Sequence, residues 1–173
     1  MSDAEPRRIV VFGVSAVGKS TIGAALAAKL SLPFLDADAL HSDASLRKMT
    51  AGVPLDDFDR RPWLLSCGRA LAQSEAGMVL ACSALARRYR DLIRLECPDA
   101  VFLHLHASYD DVLERAVSRD AHFMPPALLQ SQFEALELLG TEEAGAALDA
   151  RLSVGGVLDA AVKVLDELSR PGC

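Results

Sequence analysis

The sequence predicts an α/β fold of three layers: a parallel five-stranded sheet with helices on both faces. Two observations carry this. Short, wholly apolar runs alternate with segments of helical spacing along the chain. Strands buried on both faces read as continuous apolar runs, and intervening helices make such strands parallel. The chain also has 173 residues, 51% apolar and 24% charged, which is the make-up of one ordinary packed domain. No repeat, linker or low-complexity stretch divides it, so a single domain over 1–173 is expected.

The elements follow in order. Arg8–Gly13 is an apolar run closed by Gly, a buried first strand. Ile22, Leu26 and Leu30 lie at helical spacing in Lys19–Leu30. Pro33–Leu35 is a short second strand ending in Asp36-Ala-Asp38, and Asp43–Thr50 a short helix. Pro62 is expected in the first turn of a helix over Trp63–Glu75. Met78–Cys82 is a third strand, Leu85–Glu96 a helix and Ala100–His106 a fourth strand. Ser108–Asp111 has the form of a capping box opening a helix to about Ser118. Arg119–Pro126 breaks the pattern and Ala127–Leu138 resumes it. A weak fifth strand, Ala147–Leu152, precedes a last helix, Val157–Ser169, and Gly140–Ala147 is the least patterned stretch.

The net charge of −6, without a long run of either sign, argues against nucleic acid as a partner. Met1–Arg8 is polar, and Ile9–Phe12 is too short for a signal peptide or a membrane span, so a cytoplasmic protein is expected. Cys67, Cys82, Cys97 and Cys173 form no C-x-x-C pair and read as reduced thiols.

Gly13-Val14-Ser15-Ala16-Val17-Gly18-Lys19-Ser20, followed by Thr21, fits G-x-x-x-x-G-K-[ST] between a strand and a helix. Glycines let the backbone bend and bring N–H groups against phosphate oxygens, and the helix N-terminus adds partial positive charge. Lys19 is placed to reach the outer phosphates, and Ser20 to ligate Mg²⁺. The loop predicts binding of a nucleoside triphosphate. Switches, motors and kinases all carry such a loop, and a small-molecule kinase is the expectation here. Asp36 and Asp38, two apart on extended backbone, point the same way, toward the crevice at the strand ends. One can hold Mg²⁺ and the other accept a hydroxyl proton; an acidic loop capping the next helix is the alternative.

The downstream strings resemble the gluconokinase family. They are Phe34-Leu-Asp36-x-Asp38-x-x-His41, Lys48-Met49, and Gly52-x-Pro-Leu55-x-Asp57-x-Asp59-Arg60-x-Pro-Trp63-Leu64. Cys82-Ser-Ala-Leu85-x-x-x-Tyr89-Arg-Asp91-x-x-Arg94, Arg115-x-x-x-Arg119-x-x-His122-Phe-Met-Pro125 and Leu128-Leu129-x-Ser131-Gln-Phe133 complete the set. The resemblance implies a P-loop kinase fold of the nucleoside-monophosphate-kinase type with a helical lid at about 119–138. It also implies transfer of the ATP γ-phosphate to the 6-hydroxyl of D-gluconate with Mg²⁺, in a homodimer. By the same resemblance Asp38 is the base, and Asp36 supports the Mg²⁺ held by Ser20. His41, Arg60 and Arg90 contact the sugar acid, and Arg119, with His122 beside it, sits on the lid over ATP. Guanidinium groups suit a carboxylate substrate because they bind it through two parallel hydrogen bonds.

Plainer roles exist for several of these. Arg60 and Asp59 can form a surface ion pair; Trp63 and Tyr89 can be packing residues. Arg87, Arg88, Arg90 and Arg94 can be a solvated helix face, and His122 a lid brace. His104 and His106 share a strand face without an evident third metal ligand. The chain also departs from the family pattern. Ala16 stands where Gly is usual, at a cost of about 1–2 kcal/mol if that position needs φ > 0. Ser45, Ala86, Asp120, Ala121 and Leu139 replace the common Asn, Lys, Lys, Gly and Pro. Shikimate kinase is the nearest rival, sharing the loop and the aspartate pair, and a nucleoside monophosphate kinase is a more distant one. A nucleotide-binding regulator without catalysis is the rival from another class.

Overall fold

The first apolar run forms β1 (Arg7–Phe12), the middle strand of the sheet. Ile9 and Val11 point to one face and Val10 and Phe12 to the other, and all four are fully buried. A computed structural model describes residues 7–118 and 126–169. Four further strands, β2 (Phe34–Asp36), β3 (Gly77–Ala81), β4 (Val101–His106) and β5 (Gly145–Asp149), complete a sheet of order β2-β3-β1-β4-β5. Every pairing is parallel. The three-layer, five-stranded expectation holds.

The helices are α1 (Lys19–Leu30), α2 (Asp43–Thr50), α3 (Asp57–Gln73), α4 (Arg87–Glu96), α5 (Tyr109–Ser118), α6 (Pro126–Ala135) and α7 (Val154–Leu168). One core cluster joins Ile9, Val11 and Leu103 to Ile22 and Leu26 of α1, Val112, Leu129 and Leu165. The other joins Val10, Phe12 and Phe102 to Leu64, Cys67 and Leu71 of α3 and Ile93 of α4. Where α3 meets α4, a Cβ on Gly68 would lie 2.5 Å from the Ile93 carbonyl oxygen, so only glycine permits that approach.

Several boundaries differ from the sequence expectation, among them the start of α7, at Val154 rather than Val157. Helix α3 begins at Asp57, well before Pro62. Its start is set by a reciprocal capping box: Asp59 N–H donates to Asp56 Oδ1 at 2.8 Å and Asp56 N–H to Asp59 Oδ2 at 3.2 Å. Pro62 thus lies inside the helix, where it leaves the Phe58 carbonyl without its usual donor. Helix α6 stops at Ala135, short of Leu138, where the Glu137 N–H donates to Leu85 O at 3.0 Å instead of to the Phe133 carbonyl, and the Glu137 and Leu138 carbonyls accept from the Arg90 guanidinium. Strand β5 starts at Gly145, inside the least patterned stretch.

That stretch holds Glu143, a buried carboxylate that sequence reasoning passed over. Glu143 takes two bonds from Arg90, each 2.8 Å, one from Arg94 at 2.5 Å and one from the Gly140 N–H at 2.9 Å. Burial alone would raise its pKa; the bonds from Arg90, Gly140 and Arg94 outweigh that and hold it at about 2.

Breaking a buried ion pair leaves the partner charge uncompensated. Glu143→Gln should therefore lower the unfolding free energy by about 3–5 kcal/mol in urea titration. The double variant Arg90→Met/Glu143→Leu should not recover that loss, because it also strips the donor from the backbone carbonyls that Arg90 serves. Because the folded carboxyl titrates below its ordinary value of 4.5, its stabilisation is complete above that pH. It should disappear as pH falls toward about 2, an acid-side loss that Glu143→Gln would lack.

Candidate active site

The carboxyl ends of β1, β2 and β3 converge on the phosphate loop, the position where open α/β sheets bind ligands. Gly13 leaves β1 at φ 154, and a Cβ there would lie 2.6 Å from the Leu105 carbonyl oxygen. Gly18 is the N-cap of α1 and offers no capping side chain. The Ile22 N–H closes the first turn on Gly18 O at 2.9 Å. The N–H groups of Lys19, Ser20 and Thr21 therefore precede the first intrahelical bond and are available to an anion. Lys19 Nζ donates to Val14 O at 3.0 Å, and burial pushes its pKa down, opposed by Cys82, Asp38 and Asp36.

Ser20 Oγ donates to Asp36 Oδ2 at 2.6 Å. The other Asp36 oxygen accepts the Asp38 N–H at 3.1 Å, so Asp36 caps the 3₁₀ turn Ala37–Leu40. Strand alternation does not align the two carboxylates, because β2 ends at Asp36; this capping turn brings Asp38 round instead. The capping alternative and the proximity to Ser20 are both realised in one side chain. A hydroxyl beside a carboxylate is a hard-oxygen donor set that suits Mg²⁺, which prefers one or two protein oxygens together with substrate phosphates.

Asp38 is exposed, and His41 Nε2 lies 3.9 Å from its Oδ1. The His41 ring stacks on Trp63, 4.3 Å between centroids and 15° between planes. Trp63 is buried and donates from Nε1 to Ala37 O at 2.7 Å. It is both a packing residue and the platform that orients His41. Burial, reinforced by Arg60 and opposed by Asp38, lowers the His41 pKa and keeps the ring neutral near pH 7. Its Nδ1 is buried without a hydrogen-bond partner among the described residues.

Asp59 pairs with Lys48 and Asp57 with Arg88, so the alternative of an Arg60–Asp59 surface ion pair is not realised. The Arg60 guanidinium instead donates to Tyr89 Oη at 3.3 Å and lies 5.4 Å from that ring's centroid. Tyr89 in turn donates to Asp57 Oδ1 at 2.6 Å. Arg60 has no ion-pair partner among the described residues, which leaves it free for a substrate anion.

Arg90 does not belong to this set. It is fully buried, and it bonds to Glu143 and to the carbonyls of Ala84, Leu85, Glu137 and Leu138. No donor remains for a sugar acid, so the expected substrate contact is corrected to a structural role. The solvated-face alternative fails for Arg90 for the same reason, while Arg88 is exposed and Arg87 and Arg94 are partly so. His104 is buried and stacked on Phe12, and burial, then His106 and Arg90, bring its pKa down to about 4. Cys67, Cys82 and Cys97 are free and buried. Arg119 and His122 lie outside the described residues. Gln132 carried no assigned role, yet it bonds to Ser15 of the loop; a polar residue three positions after buried Leu129 on the same helix face was the available signal.

A glycine-framed anion cradle, a hydroxyl–carboxylate pair and a second carboxylate beside a histidine define a P-loop kinase of small molecules. Comparison with known proteins agrees. The family model described as shikimate kinase matches residues 15–144. The gluconokinase of Gluconobacter oxydans (strain 621H) is 42% identical over 142 residues, covering 80% of each chain. The thermosensitive gluconokinase of Escherichia coli (strain K12) is 45% identical over 132 residues, covering 74% of this chain and 70% of the relative. The crystal structure of a gluconokinase from Sinorhizobium meliloti 1021 superposes with a TM-score of 0.87 at 42% identity, covering 95% of this chain and 94% of that one. The chain belongs to the gluconokinase family, built on the scaffold shared with shikimate kinase. It is an ATP-dependent kinase with an alcohol group as acceptor.

Ala16 occupies the left-handed region at φ 62, so the departure from Gly carries the backbone cost set out above. Ala16→Gly should stabilise the protein by about 1 kcal/mol, raising the thermal midpoint by about 2–4 °C in calorimetry.

Proposed function

We propose that this protein transfers the γ-phosphoryl group of ATP to the 6-hydroxyl of D-gluconate, releasing ADP and 6-phospho-D-gluconate. The observation that carries it is that Ser20–Asp36, Asp38, His41 and Arg60 lie close to one another and to Lys19. Arg60 meets the gluconate carboxylate with a fork of parallel N–H groups. Neutral His41, held at a fixed tilt by Trp63, bonds a substrate hydroxyl through Nε2, the nitrogen on the Asp38 side. Asp38 faces the reacting hydroxyl and takes its proton as the oxygen attacks the γ-phosphorus and the bond to the β-phosphate oxygen breaks. Lys19 and the N-terminal amides of α1 hold the phosphates in line. Ser20, supported by Asp36, would hold Mg²⁺, which would neutralise phosphate charge.

The same reading takes the chain as one P-loop kinase domain with a lid at about 119–138, where Arg119 and His122 cover ATP. It is a cytoplasmic homodimer. No helix among the described residues is long and apolar enough to cross a membrane.

A coupled ADP-release assay with gluconate, shikimate and nucleoside monophosphates tests the acceptor. Turnover is expected on gluconate, and Asp38→Asn should cut kcat by about 10²–10⁴ while ATP still binds. Near-normal rates in Asp38→Asn would remove it as the base. ATP binding without turnover of any acceptor would favour the regulator. Arg60→Ala should raise the KM for gluconate by roughly tenfold or more, the value of a charge-assisted bond, and leave nucleotide affinity unchanged.

A further inference from the structure

Gln132 of α6 and Ser15 of the phosphate loop are 117 positions apart, yet they meet through two reciprocal hydrogen bonds. The Ser15 backbone N–H donates to Gln132 Oε1 at 2.7 Å, and Gln132 Nε2 donates to Ser15 Oγ at 2.9 Å. One side-chain amide thus grips both the backbone and the side chain of a single residue, which sets its orientation as well as its position. Gln132 rides on an anchored helix: Leu129 is fully buried, and the Phe133 ring packs edge-on against Tyr109 of α5 at 5.5 Å.

On the other side of the loop apex, Arg115 of α5 donates to Val17 O at 3.2 Å and to Ala150 O at 2.6 Å. Between Ser15 and Val17 stands Ala16 at φ 62. A residue with a Cβ resists that backbone and would relax to the right-handed or extended region, turning its peptide groups. The one strained residue of the loop is therefore bracketed by side chains from two helices.

We propose that Gln132 is a positioning residue for nucleotide binding: it clamps Ser15 and so holds the loop in the left-handed turn at Ala16 that the phosphate cradle requires. Gln132 does this without touching the nucleotide. With its N–H engaged, Ser15 serves as a fixed wall, and the phosphates are left to Lys19, the loop amides from Ala16 onward that the turn orients, and the amides at the start of α1. The inference rests on the loop being the ATP site and needs no particular acceptor.

The test is calorimetric titration of the full chain with ADP and with a non-hydrolysable ATP analogue, for wild type, Gln132→Ala, Ala16→Gly and the double variant. Gln132→Ala should weaken both nucleotides by roughly tenfold, the value of two neutral bonds. Adding Ala16→Gly should restore affinity to within about threefold of wild type, since glycine adopts the left-handed turn without the strain that the clamp otherwise offsets. A merely structural role for Gln132 would give the same tenfold loss with Gly at position 16, and that result would overturn the clamp. So would unchanged affinity in Gln132→Ala. If Gln132→Ala does not fold, Ser15→Ala removes one bond of the pair. It should give a smaller loss, again relieved by Ala16→Gly; a loss that Ala16→Gly does not relieve counts against the clamp. These affinities are independent of gluconate. A wild type that binds ATP but does not turn over gluconate sinks the acceptor reading alone, and an unrelieved loss alongside normal gluconate turnover sinks the clamp alone.

Discussion

The Arg90–Glu143 pair is a buried charge interaction that several otherwise separate segments share. Arg90 comes from α4, while its partners come from the loop after β3, the segment after α6 and the turn before β5. Its guanidinium also lies 4.9 Å from the centroid of the Phe12 ring, at the end of the central strand. Two buried charges are costly to desolvate, and the cost is offset only when the remaining donors and acceptors are also satisfied. Here they are: four backbone carbonyls take the other guanidinium protons, and Arg94 and the Gly140 amide complete the carboxylate. Those carbonyls belong to irregular chain, so the pair also satisfies backbone groups that no helix or strand would serve. The route of the chain from α6 into β5 depends on it.

The same logic of paired groups organises the site. The phosphate side is set by backbone: α1 begins without a capping side chain, and its free N–H groups, together with a desolvated Lys19, make a place where negative charge is favoured. The acceptor side is set by side chains from α3 and α4, with Lys48 fastening α2 to Asp59 and Tyr89 linking Arg60 to Asp57. Asp36 joins the two halves, since one oxygen takes the Ser20 hydroxyl and the other caps the turn bearing Asp38. Phosphoryl transfer needs positioning and charge neutralisation more than covalent help, and this division of labour supplies both.

Much of this was legible in the chain itself. The strands and most helices show their period because burial on both sheet faces demands apolar runs. Helices α1 and α2 start and stop at the residues that their patterns indicate. The phosphate loop was legible because its chemistry is local: glycine conformation, lysine and hydroxyl all lie within one turn. The start of α3 was missed because Pro62 is a conspicuous signal, whereas two aspartates capping each other look like ordinary surface charge. The role of Arg90 was misassigned for a related reason. Four arginines in and around one helix give no indication of which one turns inward, and Glu143, which decides it, lies 53 positions away in an unpatterned stretch.

The sequence by itself determined the sheet class, the anion cradle and the residue types at the crevice, because these follow from periodicity and short-range geometry. Only the tertiary structure decided which charges are paired and which are free. It withdrew Arg90 from the substrate and left Arg60 available to it. It set His41 on Trp63 and brought Gln132 to Ser15. Such choices depend on long-range packing, where the cost of desolvating a polar group makes it take whichever partner the fold brings within reach.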